Sequence, residues 1–262
     1  MSREKMKDIK RVVVKVGTST LTYENGKLNL RRIEQLVRVL ADLKNRGLEV
    51  ILVSSGAIGV GVGKLGLKHK PSITMEKQAA AAVGQCELMY LYDKIFSEYG
   101  YSAAQVLLTK DVIQNNERKQ NVINTFITLL KMNVVPVVNE NDAISVEEIE
   151  FGDNDTLSAV VATLTDSELL VILTDIDGLY TDNPRENPEA KLISDVYEIT
   201  EDTKKIAGGA GSNRGTGGMI TKVMAAEIAA AAGISTSVCD GEDPRILYRL
   251  FDGENVGTLF HA

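Results

Sequence analysis

The sequence has no tryptophan, two cysteines, two histidines and no apolar run long enough to cross a membrane. A membrane-spanning helix needs about 18 or more consecutive apolar residues, and a leader segment is not visible, so we expect a cytoplasmic protein without membrane contact. Cys86 and Cys239 lie far apart and, with His69 and His261, match no metal-ligand spacing. These absences argue against a disulfide-stabilised secreted domain and against a zinc domain.

Positive charge is also scarce. Lysine and arginine number 29 against 36 acidic residues, the net charge is −7, and the basic residues form no cluster. Because nucleic-acid-binding proteins concentrate positive charge on one face, we expect no nucleic-acid partner. An acidic protein that handles phosphate must supply its cations locally, so individual lysines near glycine-rich segments become the candidate phosphate ligands.

Short apolar runs alternate with amphipathic helical segments along the chain. Residues 12–16, 48–53, 134–138 and 169–173 are typical of buried strands, and residues 29–46 carry apolar side chains on one helical face behind a possible Asn29 cap. This alternation predicts βαβ units, and hence a three-layer α/β/α sandwich with a mainly parallel central sheet. The remaining predicted elements are strands at 104–108 and 234–238, helices at 74–99, 120–132 and 218–232, a helix from about residue 153, and a short hairpin at 144–151.

Small, polar or charged residues follow four of the predicted strands. They are Gly17, Thr18 and Ser19 after the first, Ser54, Ser55 and Gly56 after the second, Asn139, Asn141 and Asp142 after residues 134–138, and Thr174 and Asp175 after residues 169–173. In open parallel sheets, ligands bind beyond the carboxyl ends of the strands. We therefore expect the binding site at this edge.

Lys15 lies within an otherwise apolar strand. A buried ammonium group is costly unless it meets a partner, so Lys15 is the first candidate for contact with an anion. A lysine that extends its head group into water at a strand end is the structural alternative. The hydroxyls and backbone N–H groups of residues 17–19 favour the anion site.

A second candidate is the glycine-rich segment 208–218, which holds six glycines and precedes a predicted helix. Helix N-termini attract anions, and Lys222 lies about one turn inside this helix, from where it can point back. The alternative is a disordered surface loop.

Carboxylates form the third candidate. Asp153 fits a helix N-cap, but Asp142 and Asp155 have no such structural reason. They could hold the phosphate-binding lysines in place or bind a substrate amine.

Two familiar nucleotide motifs do not apply. Residues 61–66 match G-x-G-x-x-G but do not directly follow a strand, so the match is interpreted as chance. Lys64 is not followed by serine or threonine, which excludes a P-loop, and a His-Arg-Asp catalytic loop is also missing. Any nucleotide must be held in another way.

An ordered set of segments resembles the amino acid kinase family, and within it the members that phosphorylate glutamate. The segments are 14–19, 54–58, 82–85, 136–142, 152–155, 174–175, 217–219 and 257–262. The resemblance implies ATP-dependent phosphorylation of the γ-carboxylate of L-glutamate, the first step of proline synthesis. It also implies one kinase domain, which we expect to span residues 1–262 with a substrate lobe at about 1–165 and a nucleotide lobe at about 166–262. In one respect the chain departs from the resemblance: many of these kinases continue into a C-terminal PUA domain, and this chain, which ends at Ala262, is expected to lack it.

The same resemblance implies roles for individual residues. Lys15 and Lys222 would neutralise the transferring phosphoryl group, and Asp155 would position both lysines. The residues implied for glutamate binding are Ser55, Gly56, Asp142 and Asn154. Those implied for nucleotide contact are Lys15, Thr174, Asp175, Thr216, Gly217, Gly218, Met219 and Lys222. Mg²⁺ would be held mainly by the nucleotide phosphates, and no protein side chain is assigned as its ligand.

Proline is the expected feedback inhibitor, and a homodimer or homotetramer is the expected assembly, again from the resemblance. Two alternatives remain open. One is a sister kinase of the same fold that acts on N-acetylglutamate, aspartate, carbamate or a nucleoside monophosphate. The other is a non-catalytic protein that binds ATP or an amino acid.

Overall fold

The computed structural model describes residues 2–23, 27–109, 111–144, 154–209 and 218–262. Within these ranges, eight strands form one sheet in the order β3-β4-β2-β1-β5-β7-β8-β6. The strands are β1 Arg11–Val16, β2 Glu49–Val53, β3 Ala103–Leu108, β4 Val135–Glu140, β5 Leu169–Thr174, β6 Asp195–Val196, β7 Ser235–Asp240 and β8 Thr258–Phe260.

Helices connect these strands and cover the sheet. A 3₁₀ helix, Arg3–Asp8, precedes β1. The α-helices are α1 Thr18–Leu21, α2 Leu30–Asn45, α3 Ala57–Leu65, α4 Thr74–Glu98, α5 Asp111–Gln114, α6 Asn116–Lys131, α7 Asn154–Leu164, α8 Glu201–Gly209, α9 Met219–Ala231 and α10 Ile246–Phe251. Within the described ranges, none of these helices has both the length and the apolarity needed to cross a membrane.

Strand β1 lies at the centre of the sheet and pairs in parallel with β2 and β5. Its side chains alternate between two hydrophobic clusters: Val12 and Val14 belong to the cluster that includes α2 and α4, and Val13 to the cluster that includes α7 and α9. A strand buried on both faces requires a continuous apolar run, which explains the sequence of β1. The predicted three-layer α/β/α fold with a mainly parallel sheet is confirmed; among the described pairs of strands β1 to β8, only β7 with β8 is antiparallel.

The long elements lie where the sequence pattern predicts them, with ends shifted by a few residues. Asn29 is the N-cap of α2, as expected, and its side chain accepts a hydrogen bond from the Arg32 amide at 3.2 Å. The pattern did not predict α3, α8, α10 or the short strands β6 and β8. The predicted hairpin at 144–151 lies, apart from Ile144, outside the described residues.

Glycines allow helices α3 and α4 to approach closely. A Cβ atom added to Gly61 would overlap the carbonyl oxygen of Ala80, and one added to Gly84 would overlap the carbonyl oxygen of Ala57. The G-x-G-x-x-G match of residues 61–66 therefore lies in and just after a helix, and its first glycine is needed for helix packing. Because α3 follows directly on the end of β2, this contact fixes the position of that strand end.

Candidate active site

Three charged side chains meet beyond the carboxyl end of β1. The Asp155 carboxylate lies 2.7 Å from Lys15 Nζ through Oδ1 and 3.1 Å from Lys222 Nζ through Oδ2. All three residues are buried, with 4%, 0% and 5% exposure for Lys15, Asp155 and Lys222. The two lysines that the sequence singles out thus share one carboxylate, although 207 positions separate them (222 − 15).

The three residues come from three different elements. Lys15 is the penultimate residue of β1, Asp155 lies in the first turn of α7, and Lys222 lies in the first turn of α9. An acidic side chain in the first turn of a helix is favoured by the helix dipole, but a cation is disfavoured there. The position of Lys222 therefore does nothing for the stability of α9 itself, and Asp155 compensates for it.

Neighbouring hydroxyl groups hold the carboxylate in place. Thr221 Oγ1 lies 2.8 Å from both Asp155 Oδ2 and the Gly218 carbonyl oxygen, so its proton can serve either acceptor. The Ser158 hydroxyl donates to the backbone carbonyl of Asp155 at 2.5 Å. Thr221 was not among the predicted site residues, since a threonine beside a lysine in a helix carries no signal of its own.

Two ammonium groups and one carboxylate leave this cluster with a net charge of +1. An uncompensated buried charge is costly, so the cluster favours an anionic ligand beside the two lysines. Both oxygens of Asp155 already face ammonium groups, which leaves that carboxylate unsuited to a metal ion. Within the described ranges, no group of three or more His, Cys, Asp or Glu side chains could hold a metal.

A second set of polar contacts lies next to the cluster. Asn154 Nδ2 donates to the Ser54 carbonyl oxygen at 2.6 Å, to Ser55 Oγ at 3.0 Å and to Asn139 Oδ1 at 2.9 Å. Asn139 Nδ2 in turn donates to Gln85 Oε1 at 2.9 Å. The structure therefore brings the predicted residues Ser55 and Asn154 together. It adds Asn139, which the sequence placed at this edge of the sheet without a role, and Gln85, which was not among the predicted site residues.

Gly56 lies in the loop after β2 and packs against Thr18, which follows β1. Its φ of +88° lies in the left-handed region, and it is the N-cap of α3. A Cβ atom at this position would come within 3.2 Å of Thr18 Cγ2. The loop after β2 therefore lies against the start of α1, so the two predicted strand-end sites form one continuous surface.

Asp142 lies in the turn after β4 and is partly buried. Burial raises the pKa of its carboxyl group above the ordinary value, and its carboxylate forms no ion pair with any described residue. A partly buried acid without a cationic neighbour would gain from a positively charged ligand, such as an amino group.

The predicted nucleotide residues lie at the ends of β5 and α9. Thr174 follows Leu173, the register partner of Val16 in β1, so it lies beside the Lys15 end of the site. The Thr174 hydroxyl donates to Asp175 Oδ1 at 3.2 Å. Gly218 is the N-cap of α9 and Met219 is its first residue. Thr216 and Gly217, which were also predicted, lie outside the described residues.

Comparison with known proteins shows the family to which the chain belongs. Residues 10–240 match the amino acid kinase family. The chain is 58% identical to glutamate 5-kinase of Clostridium perfringens over 264 residues, covering 99% of this chain and 98% of that protein. It is 52% identical to glutamate 5-kinase of Enterococcus faecalis, covering 98% and 97%. Among solved structures, an isopentenyl phosphate kinase product complex from T. acidophilum has a similar fold, with a TM-score of 0.66 at 18% identity over 96% of this chain and 100% of that chain. On the strength of these matches, the chain belongs to the amino acid kinase family.

Proposed function

We propose that this protein transfers the γ-phosphoryl group of ATP to the γ-carboxylate of L-glutamate, which yields γ-glutamyl phosphate and ADP as the first step of proline synthesis. The observation that carries the proposal is the buried cluster of Lys15, Asp155 and Lys222. The names of the relatives, which are 58% and 52% identical over nearly the whole chain, support glutamate as the acceptor.

Phosphoryl transfer depends mainly on positioning and on neutralisation of charge. Lys15 and Lys222 supply two positive charges in a buried setting, where electrostatic stabilisation of developing charge is strong. Asp155 holds both ammonium groups in place. The acceptor carboxylate is already ionised and nucleophilic at neutral pH, so the reaction needs no general base.

We assign the glutamate end of the site to Ser55, Gly56, Asp142 and Asn154. The hydroxyl of Ser55 accepts from Asn154, so its own proton is available for a substrate carboxylate. Asp142 suits the α-ammonium group, because that cation would relieve the cost of its burial.

We assign the nucleotide end to Thr174, Asp175, Thr216, Gly217, Gly218 and Met219, together with the two lysines. Mg²⁺, when bound with ATP, would offset the negative charge of the phosphates, and we assign it no protein ligand. This division corresponds to a substrate lobe at about 1–165 and a nucleotide lobe at about 166–262. We further propose a cytoplasmic homodimer or homotetramer, inhibited by free proline at or near the glutamate position.

The test is ADP release from ATP and Mg²⁺ with glutamate, N-acetylglutamate, aspartate or carbamate supplied separately, and with hydroxylamine added to trap an acyl phosphate. ADP and hydroxamate with glutamate alone would support the proposal. Turnover with another acid would replace glutamate by that substrate and leave the kinase chemistry standing. Binding of ATP without turnover on any acid would favour a non-catalytic binding protein.

Lysine variants make this assay specific to the cluster. Lys222→Ala should reduce turnover by orders of magnitude, because the transferring group loses one of its two cationic partners. Lys64→Ala is the matched control, since Lys64 is exposed and pairs with Glu87 on the surface between α3 and α4. Near-normal turnover in a folded Lys222→Ala variant would remove Lys222 from the mechanism.

A further inference from the structure

Three amide side chains, two of them buried and the third, Asn154, partly buried, form a continuous hydrogen-bonded chain from the middle of α4 to the glutamate end of the site. Gln85 Oε1 accepts from Asn139 Nδ2 at 2.9 Å, and Asn139 Oδ1 accepts from Asn154 Nδ2 at 2.9 Å. Gln85 and Asn139 are 8% and 1% exposed. This amide chain (Gln85, Asn139 and Asn154) has no part in the phosphoryl-transfer chemistry described above.

Two backbone groups fix the direction of every amide in the chain. The Ser54 carbonyl, 2.6 Å from Asn154 Nδ2, can only accept, so the Asn154 side chain must turn its NH₂ group toward it. The Glu140 amide, 3.0 Å from Asn139 Oδ1, can only donate, so Asn139 must turn its oxygen toward that amide and toward Asn154. Reversing any one amide would set two acceptors or two donors against each other, at the cost of a buried polar group left unsatisfied.

The consequence is that Asn154 has no donor left for a ligand. Its NH₂ group serves three acceptors, while its Oδ1 accepts no hydrogen bond from any described residue. Asn154 therefore offers the site a hydrogen-bond acceptor. Asp142, which follows the same strand as Asn139, offers a second acceptor. Two acceptors suit a primary ammonium group, which has three donors and no acceptor.

We propose that Gln85, acting through Asn139, is a positioning residue that holds the Asn154 amide oxygen ready for the α-ammonium group of the substrate, and so sets the preference for an amino acid over a simple dicarboxylate. This inference rests on the proposed function and deepens it. Gln85 need not touch the substrate. Its contribution is to keep Asn139, and through it Asn154, from rotating.

Gln85→Met is the first variant, because methionine has a similar length and shape but cannot accept the hydrogen bond from Asn139. We expect KM for glutamate to rise about tenfold, as for the loss of one buried hydrogen bond. KM for ATP and kcat should stay close to those of the wild-type protein. The preference for glutamate over glutarate, which lacks the amino group, should fall by a similar factor.

Gln85→Glu separates positioning from direct contact. Glutamate at this position keeps an oxygen for Asn139 but replaces the NH₂ group by a second oxygen, so it should restore the low KM for glutamate. If Gln85 instead donated to the substrate, Gln85→Glu would be impaired as severely as Gln85→Met. That result would overturn the positioning role.

Tyr92→Phe is the control for a general loss of packing around α4. Tyr92 also lies on α4, and its hydroxyl is hydrogen-bonded to Ser54 Oγ at 3.0 Å, outside the amide chain. This variant should be less stable but keep the wild-type KM for glutamate. Equal effects of Tyr92→Phe and Gln85→Met on that KM, or a matching rise in KM for ATP, would contradict the inference. Failure of the wild-type protein to use glutamate at all would instead contradict the proposed function.

Discussion

Asp155→Asn tests whether the buried cluster is held together by charge. The substitution keeps the size of the side chain but removes the only negative charge of the cluster, so its net charge changes from +1 to +2. Lys15 and Lys222 then remain buried without the carboxylate that lies 2.7 and 3.1 Å from their ammonium groups. We expect a less stable protein that has lost most of its turnover.

The size of the effect follows from the burial of the three residues, none of which is more than 5% exposed. Removing one partner of a buried ion pair costs about 3–5 kcal/mol. At about 3 kcal/mol, the melting temperature of a chain of this size would fall by roughly 6–12 °C. Misplacement of the lysines by about 1 Å would reduce turnover about 100-fold.

Thermal melting without ligand and the ADP assay together measure both consequences. The double variant Asp155→Asn/Lys222→Met returns the cluster to a net charge of +1. It should therefore recover part of the lost stability and none of the activity. The electrostatic explanation would be refuted if the double variant were no more stable than Asp155→Asn, or if Asp155→Asn had the same melting temperature as the wild-type protein.

Three further outcomes are expected. Asp142→Asn should raise KM for glutamate far more than KM for ATP. It should also stabilise the ligand-free protein at neutral pH, because burial raises the pKa of Asp142 and the ionised carboxylate opposes folding. This gain in stability should vanish as the pH falls through that raised pKa. Gly84→Ala should destabilise the protein by about 1–3 kcal/mol or more, since its Cβ would overlap the Ala57 carbonyl, whereas Gly208→Ala, with open space around it, should be neutral or stabilising in denaturant titrations. In the native protein, a thiol reagent should modify Cys86, which is exposed, and spare Cys239, because burial raises the pKa of the Cys239 thiol to about 11; equal rates of modification would contradict the burial of Cys239.

The sequence predicts the sheet well because its strands are short apolar runs. Strands β1 and β5 are buried on both faces, so apart from Lys15 and the partly buried Arg11 at the start of β1 their residues have to be apolar or small enough to lie in the core, and the pattern is unambiguous. Helix α3 was missed for the opposite reason. It contains three glycines, which have low helix propensity, and tertiary contact with α4 decides its conformation.

The candidate site was predictable to the extent that it follows from topology. Once parallel strands are inferred, polar residues at their carboxyl ends must lie close together, and this places Ser55 and Thr174 on the same edge of the sheet as the end of β1. The amide chain could not be predicted in this way. Gln85 lies inside a helix, 54 positions before Asn139 (139 − 85), and no local pattern relates the two.

The cost of the buried cluster is itself an argument for function. A buried ion pair or triad can often be replaced by apolar side chains of similar size with no loss of stability, or with a gain. Stability therefore does not explain why Lys15, Asp155 and Lys222 are charged. It also does not explain a lysine in the first turn of α9, where the helix dipole opposes it. What does account for all three is a ligand that brings negative charge to the cluster, because such a ligand would neutralise the excess that the carboxylate alone leaves. The polyphosphate of ATP, placed against an ionised acceptor carboxylate, brings such negative charge. Two anionic groups meet there, so both lysines are needed, whereas a ligand with a single negative charge would need only one.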